Sequence, residues 1–142
     1  MTDEEGREFV DTNVLVYAHD ATAGEKRVRA RALVARLWES GAGCVSLQVL
    51  QELFVTLTRK VPSPLSSREA ERLVEGFSHW TLHEPKREDL LAAIQIHTTA
   101  RVSLWDALIL QSARRLGCEV VWSEDLNAGQ RFEGLLVRNP FA

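Results

Sequence analysis

The stretch EFVDTN occupies residues 8–13, and the apolar run VLVYA follows it directly at residues 14–18. A short apolar segment that ends at an acid and then opens a helix is typical of a buried strand followed by a helix start. In an open parallel α/β sheet, ligands bind just beyond the carboxyl ends of the strands. Asp11 is therefore either a helix N-cap, which Asp, Thr and Asn all favour, or a functional carboxylate at the edge of a sheet.

Length and composition predict one folded domain. The chain has 142 residues, of which 45% are hydrophobic and 26% are charged, and these are ordinary values for a globular domain with a sizeable core. The formal net charge of −3 is not the basic footprint of a protein that binds nucleic acid by charge alone. Any polyanion must therefore meet a local basic patch or be held through a metal ion.

The N-terminal residues and the cysteines predict a cytoplasmic protein that does not cross a membrane. No apolar run is long enough for a membrane span. Residues 1–7 are acidic and polar, which predicts a polar extension ahead of a single domain at residues 8–142 and not a secretory signal. Cys44 and Cys118 fit no metal or redox spacing, so we expect them to be reduced core thiols.

Short apolar runs alternate with helical stretches along the chain. Strands are predicted near residues 9–10, 44–46, 80–83, 118–122 and 135–137, and helices near residues 25–39, 47–60, 66–77, 86–101 and up to residue 116. Ser66 and Glu69 have the spacing of a capping box at the start of one of these helices. The alternation predicts an α/β fold, a three-layer α/β/α sandwich in which helices cover both faces of a central parallel sheet.

Two of the helices carry apolar stripes that are expected to face the core. In the helix at residues 25–39 the stripe consists of Val28, Ala32, Ala35, Leu37 and Trp38. In the helix at residues 86–101 it consists of Leu90, Leu91, Ile94 and His97. Because the chain contains no H-E-x-x-H pattern, we expect His97 to be a half-buried histidine and not a metal ligand.

Asp106 has two interpretations. Ser103 lies three residues before it, which fits a capping box at a helix start. On a helical wheel, however, Asp106 lies about 60° from Ile109, at the edge of an apolar face where an acid is partly desolvated. Such an acid requires a partner or its pKa rises, and a metal ion would satisfy it directly.

Other acids have comparable positions. Asp125 follows an apolar strand, as Asp11 does, and Glu52 points away from the apolar stripe of its helix, where it is either a plain surface carboxylate or the lining of a cleft. If these acids converge on one rim of the sheet with Asp106, their like charges repel and raise each other's pKa, so the cluster would normally hold a cation. All-oxygen ligands without His or Cys favour Mg²⁺ or Mn²⁺ over Zn²⁺.

Four stretches occur in order along the chain: DTNVLVY at residues 11–17, SLQVLQE at 46–52, SLWDALI at 103–109 and SEDLN at 123–127. Each stretch alone is a weak signal, but all four at these separations are fairly specific. Together they resemble PIN-domain ribonucleases of the VapC type, the toxin half of toxin–antitoxin pairs. The resemblance extends from Phe9 to Phe141.

The resemblance implies roles for particular residues. Four positions match the family's metal-holding acids, with Asp11 and Asp106 as the two principal ones, Glu52 on the early helix and Asp125 after the later strand. The small polar residues that orient these acids match at Thr12, Asn13 and Ser123. Glu124 beside Asp125 leaves open which of the two reaches the metal, and the spacing favours Asp125.

The resemblance also implies a fold, an activity and partners. The implied fold is a parallel sheet between helices, usually paired as a homodimer. The implied activity is Mg²⁺- or Mn²⁺-dependent cleavage of RNA, and the implied protein partner is a cognate antitoxin that wraps the toxin and blocks the acidic pocket. The polar extension before Phe9 is a departure, since many relatives begin almost at the strand.

Three functions are thus consistent with the sequence. The leading hypothesis is a divalent-metal-dependent endoribonuclease toxin that hydrolyses phosphodiester bonds of single-stranded or loop RNA. An aspartyl-phosphate phosphatase or receiver-like domain would use Asp11 as a nucleophile, but such sites usually have a second acid two residues later, where this chain has Asn13. A non-catalytic RNA-binding domain that has kept the fold predicts no metal dependence.

Overall fold

The computed structural model describes residues 6–142, so residues 1–5 of the predicted polar extension lie outside the described residues. The helices are α1 Thr12–His19, α2 Glu25–Ser40, α3 Leu47–Arg59, α4 Ser67–Phe77, α5 Arg87–Ala100 and α6 Leu104–Arg115. The strands are β1 Glu8–Val10, β2 Gly43–Ser46, β3 Thr81–His83, β4 Val120–Trp122, β5 Arg131–Phe132 and β6 Leu135–Arg138. Each expected element is found within a few residues of its expected bounds, and β5 is additional.

The strands form one six-stranded sheet in the order β3-β2-β1-β4-β6-β5. Neighbouring strands are parallel except at the edge, where β5 runs antiparallel to β6. The prediction of a parallel sheet is therefore wrong for this one strand. β5 and β6 are joined by Glu133 and Gly134, whose φ angles of 46° and 90° are both positive, as the tightest hairpin turns require. Glu rarely adopts such a conformation, so the sequence carried little signal for this hairpin.

The connections place helices on both faces of the sheet. From β1 through β2 to β3 the chain moves towards one edge, and after β3 it returns across the sheet to β4. Because crossovers between parallel strands are right-handed, opposite directions of travel put the helices on opposite faces. α1 to α4 therefore cover one face and α5 and α6 the other, which confirms the three-layer sandwich. The direction reverses between β1 and β4, and this boundary is the topological switch point of the sheet.

The core lies on both sides of the central strands. Phe9, Val10, Val45 and Val121 have no exposed surface, as expected for short apolar strands covered on two faces. Both cysteines are buried and form no disulfide, in agreement with their expected role as core thiols. Within residues 6–142, no helix combines the length and the apolarity that a membrane crossing demands.

The apolar stripe predicted for α5 is wrong, and the one predicted for α2 is confirmed only at Leu37. On α5, Leu90, Leu91 and Ile94 are 43%, 58% and 40% exposed and His97 is exposed as well, whereas the buried residues are Asp89, Ala93 and Ile96. On α2, Val28 and Trp38 are largely exposed, and the buried residues are Ala30, Leu33, Val34 and Leu37. Periodicity marks the face that is richest in large apolar side chains, but close packing of α5 against its neighbours selects the face with a small alanine and a satisfied acid.

Candidate metal centre

The carboxyl ends of β1 and β4 lie side by side at the switch point. Val10 pairs with Trp122 across these two strands, and the residues that follow are Asp11 and Ser123. The backbone N–H of Asp11 donates to the Trp122 carbonyl oxygen at 2.9 Å, so the parallel pairing extends to the acid itself. The rigid end of a central strand therefore holds Asp11 in place.

A hollow of about 380 Å³ opens at this edge of the sheet, and we call it the acidic hollow. All four acids predicted from the sequence line it, together with two of the predicted supporting residues. These six residues are Asp11, Glu52, Asp106, Asp125, Thr12 and Asn13. The third supporting residue, Ser123, is fully buried and hydrogen-bonded to Asp11. The fold thus brings together every site residue that the sequence predicts.

Asp11 is the N-cap of α1 as well as a buried acid of the hollow, so its two interpretations do not exclude each other. Its Oδ1 accepts a hydrogen bond from the Thr12 N–H at 2.7 Å, and its Oδ2 accepts one from the Ser123 hydroxyl at 2.8 Å. Burial raises the pKa of Asp11 to about 6 in spite of these two hydrogen bonds, and the negative charges of Glu52 and Asp106 act in the same direction.

Asn13 and Ser123 connect α1 to the loop after β4. The Nδ2 of Asn13 donates to Asp125 Oδ2 at 3.0 Å, and its Oδ1 accepts a hydrogen bond from the Glu124 N–H at 3.1 Å. The hydroxyl oxygen of Ser123, which donates to Asp11, also accepts a bond from the Asp125 N–H at 3.2 Å. These contacts orient two of the four acids with respect to each other.

Glu124 and Asp125 have different surroundings. The Glu124 carboxylate accepts a hydrogen bond from the Tyr17 hydroxyl at 2.8 Å and forms an ion pair with Lys26. Burial by itself raises the pKa of Glu124, but the hydrogen bonds from Lys26 and Tyr17 outweigh it and hold the pKa below its ordinary value. The charge of Glu124 is thus compensated, and Asp125 is the one of the two that lines the acidic hollow. The geometry favours Asp125 as the fourth acid.

Asp106 and Glu52 reach the hollow from two different helices. Ser103 is the N-cap of α6, and its hydroxyl accepts a hydrogen bond from the Asp106 N–H at 3.0 Å, which is one half of the capping box that the spacing predicts. Burial raises the pKa of Asp106, and the charge of Asp125 adds to this effect. Glu52 is exposed on α3, and its Oε1 accepts a hydrogen bond from Gln48 Nε2 at 2.8 Å.

Sequence reasoning missed several residues that line the acidic hollow. They include two aromatic residues, an amide and a cation, namely Tyr17, Trp105, Gln48 and Lys60. Gln48 lies four residues before Glu52 and Lys60 eight residues after it, so a helical wheel centred on Glu52 would have placed both near its side of the helix. Trp105 gave no signal, because periodicity assigns a large apolar side chain to the buried face of a helix, and the fold leaves this one exposed.

The residues of the acidic hollow fit a hard divalent cation by the chemistry of their donors. No Lys or Arg within residues 6–142 forms a salt bridge with any of the four acids, and the Thr12 hydroxyl is buried without a hydrogen-bond partner. In the same part of the chain, no three His, Cys, Asp or Glu side chains are close enough to form a ready-made ligand set. Such a set is not required for Mg²⁺, which usually takes only one or two carboxylates directly and keeps several waters.

Fold and hollow together define an α/β domain with an acidic site at the switch point of its sheet. The profile of the PIN domain family matches residues 9–131, which is most of the chain. The chain therefore belongs to the PIN domain family, and this part of the resemblance is confirmed.

Several solved structures share the fold. A toxin–antitoxin complex from Klebsiella pneumoniae has a TM-score of 0.68 at 16% identity, over 94% of this chain and 97% of the other. DNA-bound VapBC from Salmonella typhimurium has a TM-score of 0.65 at 22% identity, over 95% and 98%. VapC20 of Mycobacterium tuberculosis, described as a Sarcin-Ricin loop cleaving toxin, has a TM-score of 0.62 at 19% identity, over 80% and 86%. A comparison with curated proteins found no match.

Proposed function

We propose that this PIN domain is a divalent-metal-dependent endoribonuclease that acts as the toxin of a toxin–antitoxin pair. The proposal rests above all on the acidic hollow, where carboxylates from four segments line one space without a salt-bridged cation among residues 6–142. Negative charge concentrated in this way repels a phosphodiester unless a cation lies between them. A divalent cation would therefore join the protein to the backbone of a nucleic acid.

The proposed ion is Mg²⁺ or Mn²⁺, with Asp11 and Asp106 as its principal ligands and Glu52 and Asp125 contributing partly through water. Oxygen donors of this kind favour these ions over zinc. Such an ion, when bound, supplies Lewis-acid stabilisation of the charge on phosphoryl oxygens and lowers the pKa of water.

The other residues of the hollow orient the acids and contact the substrate. Ser123 and the Thr12 N–H hold the two oxygens of Asp11, and Asn13 holds Asp125, so little rearrangement is needed when a substrate binds. Lys60 lines the same hollow and is exposed, which suits a contact with a phosphate of the bound strand.

The RNA substrate and the antitoxin are inferred from the similar structures. Two of these are toxin–antitoxin complexes, and one is described as cleaving the sarcin–ricin loop. We infer a single-stranded or loop RNA, because an exposed and flexible backbone can bend into a hollow at the edge of a sheet. The proposed protein partner is an antitoxin that covers the acidic hollow.

RNA cleavage by purified variants tests the proposal. The protein is treated with EDTA, and a labelled single-stranded RNA is added with or without Mg²⁺ or Mn²⁺. We expect cleavage by the wild type only when metal is added, and a loss of about 100-fold or more in Asp11→Asn and in Asp106→Asn, because each removes a proposed ligand of the ion.

Glu124→Gln is the matched control, since its carboxylate is adjacent in sequence to the site but is paired with Lys26. It is expected to cleave RNA as the wild type does. Undiminished cleavage in both aspartate variants, or equal cleavage in EDTA, would remove the proposal.

Asn13 argues against an aspartyl-phosphate site. It occupies the position where such sites usually have a second acid, and its amide donates to Asp125. Phosphate trapped covalently on Asp11 would overturn this argument. RNA binding that is unaffected by EDTA and by both Asp→Asn changes, without any cleavage, would favour the non-catalytic RNA-binding domain.

A homodimer and a cytoplasmic location stay predictions. The exposed stripe of Leu90, Leu91 and Ile94 on α5 is an apolar surface that a second copy would cover. Light scattering of the purified protein measures the oligomeric state directly.

A further inference from the structure

Trp105 is the most exposed large apolar side chain in the described part of the protein, with 67% of its surface accessible. It is the second residue of α6, directly before Asp106, and it lines the acidic hollow. An indole in this position contributes little to the core. It instead offers a flat, polarisable face beside a highly charged site.

This tryptophan also lines a second hollow. It encloses about 360 Å³ and is lined by Gln48, Gln51, Glu52 and Trp105, and we call it the glutamine hollow. Gln48, Glu52 and Trp105 line the acidic hollow as well, so the two spaces adjoin. Gln48 Nε2 donates to Glu52 Oε1 at 2.8 Å and to the Trp105 carbonyl oxygen at 3.4 Å, which ties α3 to the start of α6.

The lining of the glutamine hollow selects the kind of group that can enter it. Glu52 repels a phosphate, whereas the amides of Gln48 and Gln51 can donate and accept hydrogen bonds with an uncharged group. The indole favours a flat ring, because aromatic side chains stack on the π-faces of nucleobases. A nucleobase is an uncharged, flat group with polar edges and fits this lining.

We propose that Trp105 is a stacking platform for an unpaired nucleobase held in the glutamine hollow. This proposal rests on the proposed function in one respect: the phosphate next to the stacked base must lie in the acidic hollow. An unpaired base can enter, but a base inside a duplex has both faces covered by its neighbours and cannot stack on the indole. Trp105 thereby selects single-stranded over double-stranded RNA.

A second copy of the chain is the competing occupant of this surface. The other residues that line the glutamine hollow with Trp105, however, are two glutamines and a glutamate, and none of them is apolar. An apolar hollow lies between α3 and α4 and is lined by Leu50, Phe54 and Val74 among others; it shares Gln51 with the glutamine hollow, but Trp105 does not line it. The polar surroundings of Trp105 therefore favour a nucleobase.

Binding of short oligonucleotides tests the proposal without requiring cleavage. Affinity is measured by fluorescence anisotropy with labelled single-stranded RNA of about eight nucleotides, in Ca²⁺ and in EDTA, and with an abasic sugar–phosphate oligomer of equal length. We expect Trp105→Ala to bind the RNA about 10-fold more weakly than the wild type and the abasic oligomer equally well. Trp105→Phe, which keeps an aromatic face, should stay within about 3-fold of the wild type for RNA.

Val28→Ala is the matched control, because Val28 is an exposed apolar residue on α2 that lines neither hollow. The proposal is overturned if Trp105→Ala leaves RNA affinity unchanged, if it weakens the abasic oligomer equally, or if the wild type binds no RNA. A change of oligomeric state in Trp105→Ala, seen by light scattering, would assign the surface to a second copy instead. If the protein binds RNA in a base-dependent way but does not cleave it in Mg²⁺, the nuclease proposal is wrong and the stacking proposal stands.

Discussion

Asp11 and Asp89 are both buried at the start of a helix, but their pKa values and their contacts differ. Asp11 is 7% exposed and Asp89 is 2% exposed. Burial raises the pKa of Asp11 to about 6. Burial also raises the pKa of Asp89. Hydrogen bonds from the Lys86 N–H and from Gln111, together with the charge of His83, outweigh this effect and hold the pKa of Asp89 below its ordinary value.

The contacts of Asp89 explain this difference. Its Oδ2 accepts from the Lys86 N–H at 2.8 Å and lies 3.2 Å from His83 Nε2, and its Oδ1 accepts from Gln111 Nε2 at 3.1 Å. The other ring nitrogen of His83 lies 2.7 Å from the Ser112 hydroxyl. Ser112, His83 and Asp89 have the residue types of a hydrolytic triad, but all three are buried, so a substrate cannot reach them. The cluster is structural.

Burial alone therefore does not identify a functional acid. Asp89 is satisfied by protein groups, and its charge stabilises the fold. The carboxylate of Asp11 accepts three hydrogen bonds but shares an open hollow with four other carboxylates, those of Asp20, Glu52, Asp106 and Asp125, so its negative charge destabilises the fold unless a cation binds. The four predictions below test this contrast.

The largest expected effect is on stability in Asp89→Ala. Removing this carboxylate leaves the Lys86 N–H, the Gln111 amide and His83 without a buried partner, and we expect a loss of about 3–5 kcal/mol in the free energy of unfolding. Urea denaturation at neutral pH measures it. Glu88→Ala changes an exposed acid in the same helical turn and should cost less than about 1 kcal/mol. A loss in Asp89→Ala as small as that of the control would show that the cluster is not structural.

Asp11→Asn should increase the free energy of unfolding, whereas Asp89→Ala should decrease it. The pKa of Asp11 lies about two units above that of an unfolded aspartate, and each unit corresponds to about 1.4 kcal/mol, so removing the charge should stabilise the metal-free protein by up to about 3 kcal/mol at neutral pH. Urea denaturation in EDTA gives the difference. Asp125→Asn changes an exposed acid of the same hollow and should have an effect below about 1 kcal/mol. Destabilisation by Asp11→Asn would contradict the raised pKa.

The stabilisation by Asp11→Asn should depend on pH in a defined direction. The pKa of Asp11 is raised in the folded state, so protonation of this group stabilises the fold. This contribution is fully present below the unfolded pKa of about 3.8 and is lost as the pH rises through about 6. The advantage of Asp11→Asn should therefore be near zero at pH 4 and reach a plateau near pH 7. Unfolding of both proteins measured between these values gives the curve, and a constant difference would argue against titration of Asp11.

The smallest effect is expected at Glu124. Its carboxylate is already compensated by Lys26 and Tyr17, so Glu124→Gln should leave the Mg²⁺-dependent rise in melting temperature as it is in the wild type. Asp125→Asn should reduce that rise, because it removes a carboxylate of the acidic hollow. Thermal melts with and without Mg²⁺ distinguish the two. The reverse pattern would make Glu124 the fourth acid.

Local signals in the sequence predicted most of the elements. The capping box of Ser66 and Glu69 is present at the start of α4, and Asp11 caps α1 after an apolar strand. The helix faces were predicted less well, because on α5 the count of large apolar residues favoured Leu91 over Ala93. The antiparallel strand β5 was not predicted, since it consists of two residues next to an atypical turn.

Local sequence is enough to predict where strands and helices begin, which residues cap them, and which acids follow the strand ends. These features depend on hydrogen bonds and side-chain periodicity within a few neighbouring residues. Packing between distant segments determines that Asp11 and Ser123, 112 positions apart, share a hydrogen bond, that Glu124 pairs with Lys26, and that Trp105 remains exposed beside the acids. The charge state and the accessibility of a side chain depend on what the fold packs against it, and that is a property of contacts between segments distant in the chain.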